Sequence, residues 1–143
     1  MDFLTALHIS STGLTAQRTT MNVIATNLAN VNTTRTPQGI PYRRKVALMN
    51  SDPLEDFDNA LSAQADALSA VRVEDIVEEM TPFREVYQPG HPDANEMGYV
   101  SFPNVNVVTE TTNMMFARRA YEANVTAISS TKKMVLKALE IGK

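Results

Sequence analysis

The sequence predicts a mainly α-helical chain in which long N- and C-terminal helices form a coiled-coil core and enclose a small insert of β-strands and loops. All seven prolines lie between Pro37 and Pro103. Proline lacks a backbone donor and breaks helix interiors, so long helices are expected only in the two flanks. Each flank carries apolar residues seven apart, which is typical of a helix that pairs with another helix. The middle carries short runs of β-branched residues bounded by turn residues, which predicts strands.

The N-terminal segment, residues 1–36, is predicted to hold a helix from about Phe3 to Thr33. The run from Ser10 to Gly13 contains poor interior helix residues, which predicts a kink or a frayed turn. The apolar stripe, assigned to subunit packing, contains Leu7, Leu14, Met21, Ile24, Leu28 and Val31. Four asparagines lie elsewhere on the helix and are interpreted either as a solvated face or as hydrogen-bond partners that fix the register of paired helices; they are Asn22, Asn27, Asn30 and Asn32.

The insert, residues 37–103, is predicted to contain one strand within residues 39–49 and another within residues 69–80, the second with a shift of face. Between them, residues 50–68 are acidic and alanine-rich and have few large apolar side chains. Such a segment buries too little apolar surface to order itself, which predicts a mobile loop, with a short helix as the alternative.

The C-terminal segment, residues 104–143, is predicted to hold a helix that starts near Val107 or Thr109 and runs to about Glu140. Its residues assigned to subunit packing are Met114, Tyr121, Val125, Ile128, Val135 and Leu139. This apolar face is wider than one partner helix covers, so we expect neighbouring copies to bury it and the isolated monomer to be disordered at both ends. Pairing of the two ends within one chain, as a helical hairpin, is the alternative.

Charge is segregated along the chain. Residues 1–49 hold five basic and one acidic residue, residues 50–100 two basic and twelve acidic, and residues 101–143 six basic and three acidic. The basic positions are scattered and not interleaved with aromatic residues, so nucleic acid is not the expected partner. The pattern favours electrostatic complementarity between the ends of one copy and the middle of another.

The residues needed for catalysis or cofactor binding are scarce. The chain has no cysteine, two histidines and five dispersed glycines. It therefore lacks the usual nucleophile, thiolate metal and phosphate-loop patterns. The sequence predicts a protein that is not an enzyme, with no cofactor, no metal and no small-molecule substrate. The start, MDFLTALHIS, has no basic leader before its apolar run, so a cleaved signal peptide is not expected.

Several blocks of sequence resemble the family of bacterial flagellar rod and hook axial proteins. NVIATNLANVNT (22–33) is similar to the N-terminal signature of that family. HPDANEMGYVSFPNVNVV (91–108), RRAYEANV (118–125), KMVLKALEIGK (133–143) and PYRRKV (41–46) resemble its short, proximal rod members. The sequence departs from the family after Glu110, where a more apolar residue is usual. The motif residues are Asn27, Leu28, Ala29, Asn30, Pro92, Asp93, Gly98, Tyr99, Pro103, Asn104, Tyr121, Ala123 and Asn124.

The resemblance implies a structural subunit of the proximal rod of the flagellar basal body. Its terminal helices would form the D0-type core of a helical drive shaft, which transmits torque from the membrane ring to the distal rod and hook. The implied partners are copies of itself, other rod proteins, the membrane ring, the rod-base adaptor protein and the flagellar type III export apparatus. The implied location is the rod in the periplasmic space, reached without a cleaved signal peptide. The alternatives are another short rod subunit, a cytosolic coiled-coil adaptor, or an enzyme that cuts peptidoglycan.

Overall fold

The computed structural model describes residues 3–53 and 69–141. In this part of the chain, the elements follow the order α1 (Phe3–Ala29), β1 (Lys45–Pro53), β2 (Ser69–Glu78), β3 (Arg84–Tyr87), β4 (Tyr99–Phe102) and α2 (Val107–Ile141). Two long terminal helices thus enclose a small β insert, as the sequence predicts. Most of the acidic segment, residues 54–68, lies outside the described residues, while residues 50–53 belong to β1 rather than to a loop.

Helix α1 is continuous from Phe3 to Ala29, so the frayed turn that the sequence predicts as one alternative between Ser10 and Gly13 does not occur. The hydroxyls in this region bond to carbonyls of the helix itself. Thr12 donates to the carbonyl of Ile9 at 2.8 Å, and Thr15 donates to that of Ser11 at 3.2 Å. These bonds satisfy the hydroxyls inside the helix, and packing against α2 and the strands overrides the weak local propensity.

Helix α1 ends at Ala29 rather than at Thr33. The side-chain amide of Asn30 donates to the carbonyl of Thr26 at 2.9 Å, and the amide of Thr33 donates to the carbonyl of Asn30 at 3.0 Å. These bonds replace the helical ladder with turns. The amide of Tyr42 then donates to the carbonyl of Thr33 at 3.1 Å, which closes the loop and returns the chain to α1.

Strands β1 and β2 form an antiparallel hairpin with a bulge. Leu48 pairs with Asp75 and Met49 pairs with Val73, so Glu74 is an extra residue in β2. A bulge changes which side chains share a face, and this accounts for the predicted shift of face in the second strand. The first strand begins at Lys45, after a turn over residues 36–40 that includes Gly39 at a φ of 82°, and it continues past the predicted range to Pro53.

Strands β3 and β4 form a second antiparallel pair, in which Tyr87 lies opposite Tyr99. The connecting segment ends at Gly98, whose φ is 82°. A Cβ atom at this position would lie 2.8 Å from a ring carbon of Tyr87. Both the positive φ and the close ring favour glycine there.

Helix α2 begins at Val107 because Asn106 caps it. The side-chain oxygen of Asn106 accepts hydrogen bonds from the amides of Val108 at 3.0 Å and Thr109 at 3.3 Å. An asparagine in this position satisfies amides that have no partner inside the helix. Glu110 follows in the first turn, where a negative charge is also favoured by the helix dipole.

Helix α1 is the central packing element. It packs along α2 and also against β1 and β2, whereas none of the described strands packs against α2. The buried apolar residues are few, and several are on the helices: Ala16, Val23, Ile24 and Ala117. The two terminal helices therefore pair within one copy, as in the helical hairpin that the sequence left open as the alternative. This differs from the expectation that each helix lacks a partner in its own chain.

Candidate functional site

The face of α2 that packs on α1 is a seam of half-buried or buried residues spaced alternately by four and three residues. The seam residues are Ala117, Tyr121, Asn124, Ile128, Thr131 and Val135. Since α1 is the only described element that packs on α2, this shielding comes mainly from α1. An alternation of four and three keeps one stripe facing a neighbouring helix.

The two helices approach closely at Gly13. A Cβ atom built there would lie 3.0 Å from the side-chain nitrogen of Asn124. Glycine therefore makes room for a polar side chain of the seam. This explains why a residue that weakens an isolated helix is found in the interior of α1.

The residues assigned to subunit packing divide into two sets. Ile24 is buried, and nine others are half-buried within one chain; the half-buried residues are Leu7, Leu14, Met21, Leu28, Val31, Met114, Tyr121, Ile128 and Val135. Val125 and Leu139 stay 44% and 64% exposed. The apolar stripes are thus partly covered inside the chain, and part of α2 is left open.

Exposed apolar side chains lie on both sides of the seam of α2. Phe116 and Met134 lie one position before the seam residues Ala117 and Val135. Val125 and Leu136 lie one position after the seam residues Asn124 and Val135. One residue is a rotation of about 100° in an α-helix, so the two pairs lie on opposite sides of the seam. We call Phe116, Met134 and Ile141 the Phe116 flank, and Val107, Val125, Leu136 and Leu139 the Val125 flank; all are at least 44% exposed.

A buried polar cluster joins both helices to the insert at Asn27, whose exposure is 0%. Its side-chain amide donates to Oε2 of Glu110 at 2.9 Å and to the carbonyl of Lys45 at 2.8 Å. Its side-chain oxygen accepts hydrogen bonds from the hydroxyl of Tyr42 and the amide of Lys45, both at 2.9 Å. Asn27 therefore uses its whole hydrogen-bonding capacity. Of the two interpretations of the asparagines, the inter-helix bond holds for Asn27, whereas Asn22 and Asn32 are exposed.

Arg44 connects the carboxylates of this cluster. Its Nε and Nη2 atoms lie 2.8 and 2.7 Å from Oε1 of Glu110, and Nη1 lies 2.6 Å from Oε2 of Glu79. Glu110 is fully buried, so its charge is compensated by the guanidinium and by the amide of Asn27. Within the described residues, no buried side-chain nitrogen or oxygen is left without a partner.

The environment shifts the pKa values of two side chains of the cluster, Tyr42 and Arg44. Burial raises the pKa of the Tyr42 hydroxyl above its ordinary value, and the negative charges of Glu78 and Glu110 raise it further. For Arg44, burial alone would lower the pKa, but hydrogen bonds to Glu79 and Glu110 outweigh burial and raise the pKa above its ordinary value. Both shifts favour the protonation states that the hydrogen bonds require.

The structure brings only some of the motif residues into this cluster. Asn104 accepts a hydrogen bond from the amide of Arg44 at 2.8 Å and donates to the carbonyl of Glu79 at 3.0 Å, so it joins the cluster through the backbone of these two residues. Sequence reasoning missed the roles of Tyr42, Arg44, Glu79 and Glu110. The available signal was PYRRKV and the position of Glu110, but neither indicates which residues meet.

The other motif residues lie elsewhere. Asp93 accepts a hydrogen bond from the hydroxyl of Thr34 at 2.8 Å and lies 3.8 Å from Arg35, which ties the β3–β4 connection to the segment after α1. Pro103 is buried. Tyr99 stacks edge-on against Tyr87, with ring centroids 5.3 Å apart. Further motif residues are at least partly exposed: Leu28, Ala29, Asn30, Pro92, Ala123 and Asn124.

No group of three or more potential metal-ligating side chains occurs in residues 3–53 or 69–141. Neither α1 nor α2, over the residues described, is long and apolar enough to cross a membrane.

Comparison with known proteins identifies the family. A family model described as flagella basal body rod protein matches residues 7–35, and one described as flagellar basal body rod FlgEFG protein C-terminal matches residues 96–141. The chain is 44% identical, over 96% of its length, to the flagellar basal-body rod protein FlgC of Bacillus subtilis, and the match covers 97% of that protein. The chain belongs to the FlgC family. It is also 41% identical to FlgC of Borreliella burgdorferi and 39% identical to FlgC of Escherichia coli O157:H7, over 99% of its length in each case; these matches cover 98% and 99% of those proteins.

The FlgC matches confirm the resemblance found in the sequence. The two family models cover most of α1 with the turns after it, and the chain from the end of the β3–β4 connection through α2. The full-length matches extend the likeness across the insert that holds Tyr42, Arg44 and Glu79.

Proposed function

We propose that this chain is a structural subunit of the flagellar basal-body rod and polymerises through its terminal helices. The observation that carries the proposal, beside membership of the FlgC family, is the presence of two exposed apolar flanks on α2. Exposed apolar surface of this extent, on both sides of a helix that is already paired, favours burial by other chains.

The position of the flanks favours a polymer over a closed dimer. The Phe116 flank and the Val125 flank lie on opposite sides of the seam, so one neighbouring helix that covers one flank leaves the other open. Two neighbours are then needed for each copy. Contacts between unlike surfaces that do not close into a ring generate a helical array, which is the symmetry of a rod.

The helix pair is proposed to be the coiled-coil, D0-type core of this array, with residues 1–36 and 104–143 as its axial segments and residues 37–103 as the insert. The alternating spacing of the seam supports this. Ile24, Met114, Ile128 and the other shielded packing residues would hold the pair together within a copy. Val125 and Leu139 would contact neighbouring copies.

Charge supplies a second contribution to the contacts between copies. Lys132 and Lys133 on α2 and Glu74 and Asp75 on β2 are exposed, and none of the four forms an ion pair within the described residues. Opposite charges on different copies would guide the register of assembly more than they would strengthen it.

The finer parts of the proposal follow the family resemblance. The subunit would belong to the proximal rod, in the periplasmic space, and would leave the cell through the flagellar type III export apparatus without a cleaved signal peptide. Its partners would be copies of itself, other rod proteins, the membrane ring and the rod-base adaptor protein. The role requires no catalysis and no cofactor.

Gene replacement in the source bacterium tests the proposal. Deletion of the gene should abolish motility and leave basal bodies without rods, and the unchanged gene should restore both. Phe116→Asp and Val125→Asp should each prevent restoration, because a charge buried between subunits is costly. Thr126→Asp is the matched control, since Thr126 is exposed on the side of α2 away from the seam, and it should restore motility.

Complete rods in the deletion strain would contradict the proposal. A cytosolic coiled-coil adaptor, the alternative of a different class, would instead give discrete oligomers in the cytosol and intact rods without the gene.

A further inference from the structure

Helix α2 has few connections to the insert. It packs along α1 but on none of the described strands. The short segment 103–106 joins it covalently to β4, and Asn104 of this segment is bonded to Arg44 and to the carbonyl of Glu79. Apart from the Asn106 cap, the side-chain hydrogen bonds and ion pairs between α2 and the insert, among the described residues, all join Glu110 to Arg44. Force that passes directly between α2 and the insert, rather than by way of α1, therefore passes through this small region.

The bonds at this point are directional and branch into three elements. Arg44 holds Glu110 of α2 through two nitrogens and Glu79, which directly follows β2, through the third. The second oxygen of Glu110 accepts a hydrogen bond from the side-chain amide of Asn27 on α1 at 2.9 Å. One guanidinium and one carboxylate thus fix the positions of α1, α2 and the β1–β2 hairpin relative to each other.

Directional bonds resist motions that apolar packing permits. The hydrophobic effect depends on buried area and has little directional preference, so apolar helix faces can slide or rotate by small amounts at low cost. A hydrogen bond weakens steeply when its angle or length changes, and an arginine that contacts carboxylates through several nitrogens adds geometric restraint. Buried ion pairs often add little net stability compared with apolar replacements. The main contribution of these pairs is therefore to fix the relative positions of the elements that they join.

We propose that Asn27, Arg44, Glu79 and Glu110 form a joint that transmits twisting force directly between α2 and the insert. This inference rests on the proposed function as a rod subunit. The joint keeps α2 from sliding along α1 and from turning about its own axis when the rod rotates against a load. Its contribution is therefore small in an unloaded rod and grows with torque.

The test replaces the ion pair by apolar residues of similar size, as Arg44→Met with Glu110→Leu, in cells that carry no other copy of the gene. Swimming speed and the fraction of cells with intact rods are measured in media of increasing viscosity. The matched control is Lys137→Met with Glu140→Leu, which removes an exposed ion pair of 2.7 Å within α2, on the side away from the seam. The deletion strain reports separately on the proposed function, because rods in that strain would contradict the function whatever the viscosity results.

We expect cells with the joint variant to build rods and to swim at close to normal speed in dilute medium. As viscosity rises, they should lose more speed than the control cells, or the fraction with broken rods should be several-fold higher than in the control. Equal behaviour of the joint variant and the control at every viscosity would overturn the proposal. If the joint variant builds no rods alone, co-expression with the unchanged chain at graded ratios gives mixed rods. Sensitivity to load should then rise with the share of variant subunits, and an absence of that rise would also overturn it.

Discussion

Replacement of Asn27 by alanine should destabilise the fold more than any other single substitution on the buried side of α1. The change removes two donated and two accepted hydrogen bonds, all between 2.8 and 2.9 Å, at a side chain with no exposure to solvent. It leaves Oε2 of Glu110, the Tyr42 hydroxyl and both backbone groups of Lys45 without their partner. One of these, the carboxylate of Glu110, is charged and fully buried.

The expected loss can be estimated from these four bonds. A hydrogen bond contributes about 1 kcal/mol net, and somewhat more when one partner is charged. Water entering the vacated space would recover part of the loss, because Lys45 is only half-buried. We therefore expect the free energy of unfolding to fall by about 4 kcal/mol. The free energy of unfolding of a small domain is about 5–15 kcal/mol, so this loss is a large fraction of its stability.

Urea unfolding of the purified chain, followed by circular dichroism, measures this loss. With a urea dependence of about 2 kcal/mol per molar, the midpoint should fall by about 2 M. Asn22→Ala is the control, since Asn22 lies exposed on the same helix, and it should change stability by less than about 0.7 kcal/mol. If the two variants unfold at the same urea concentration, the buried cluster does not hold the helices to the insert and the reasoning is refuted.

Three further substitutions test separate parts of the structure. Gly13→Leu should cost about 1–3 kcal/mol in urea unfolding, because its side chain meets Asn124, and Asn124→Ala in the same chain should recover part of the loss; no recovery would place the clash elsewhere. Because the pKa of Tyr42 is raised above the ordinary 10.0, the folded state holds this proton more tightly. Its contribution is fully present below about pH 10 and is lost as the pH rises through the folded pKa. Tyr42→Phe should therefore flatten the loss of unfolding free energy above about pH 10, and an unchanged slope would contradict the assignment. Leu28→Asp places a charge in the half-buried apolar stripe and should abolish swimming while the protein is still made; normal swimming would show that the rod does not need Leu28 to hold the helix pair.

The sequence predicts the helices and the insert well because these depend on local patterns. Proline placement and heptad spacing locate α1 and α2 to within a few residues, and the β-branched runs locate β1 and β2. No frayed turn forms at Ser10 to Gly13 because propensity is a weak signal beside packing: threonine hydroxyls bond to the helix itself, and Gly13 admits Asn124.

The buried cluster could not be predicted because its members are distant in the sequence and ordinary in type. Arg44 and Glu110 are residue types found mostly on surfaces, and nothing in their local sequence indicates that they meet. For Asn27, local pattern left a solvated face and a register-fixing bond equally open. Heptad spacing likewise identifies an apolar stripe but not which chain covers it, so the division of α2 into a seam and two flanks required the structure.

The most direct test of the account is electron cryomicroscopy of isolated basal bodies at a resolution that traces this chain in the rod. The account predicts that α1 and α2 remain paired within each copy. It also predicts that the Phe116 flank and the Val125 flank of α2 are covered by two different neighbouring chains. A rod in which either flank faces solvent, or in which a single neighbour covers both flanks, would contradict the proposal that the two flanks build the polymer.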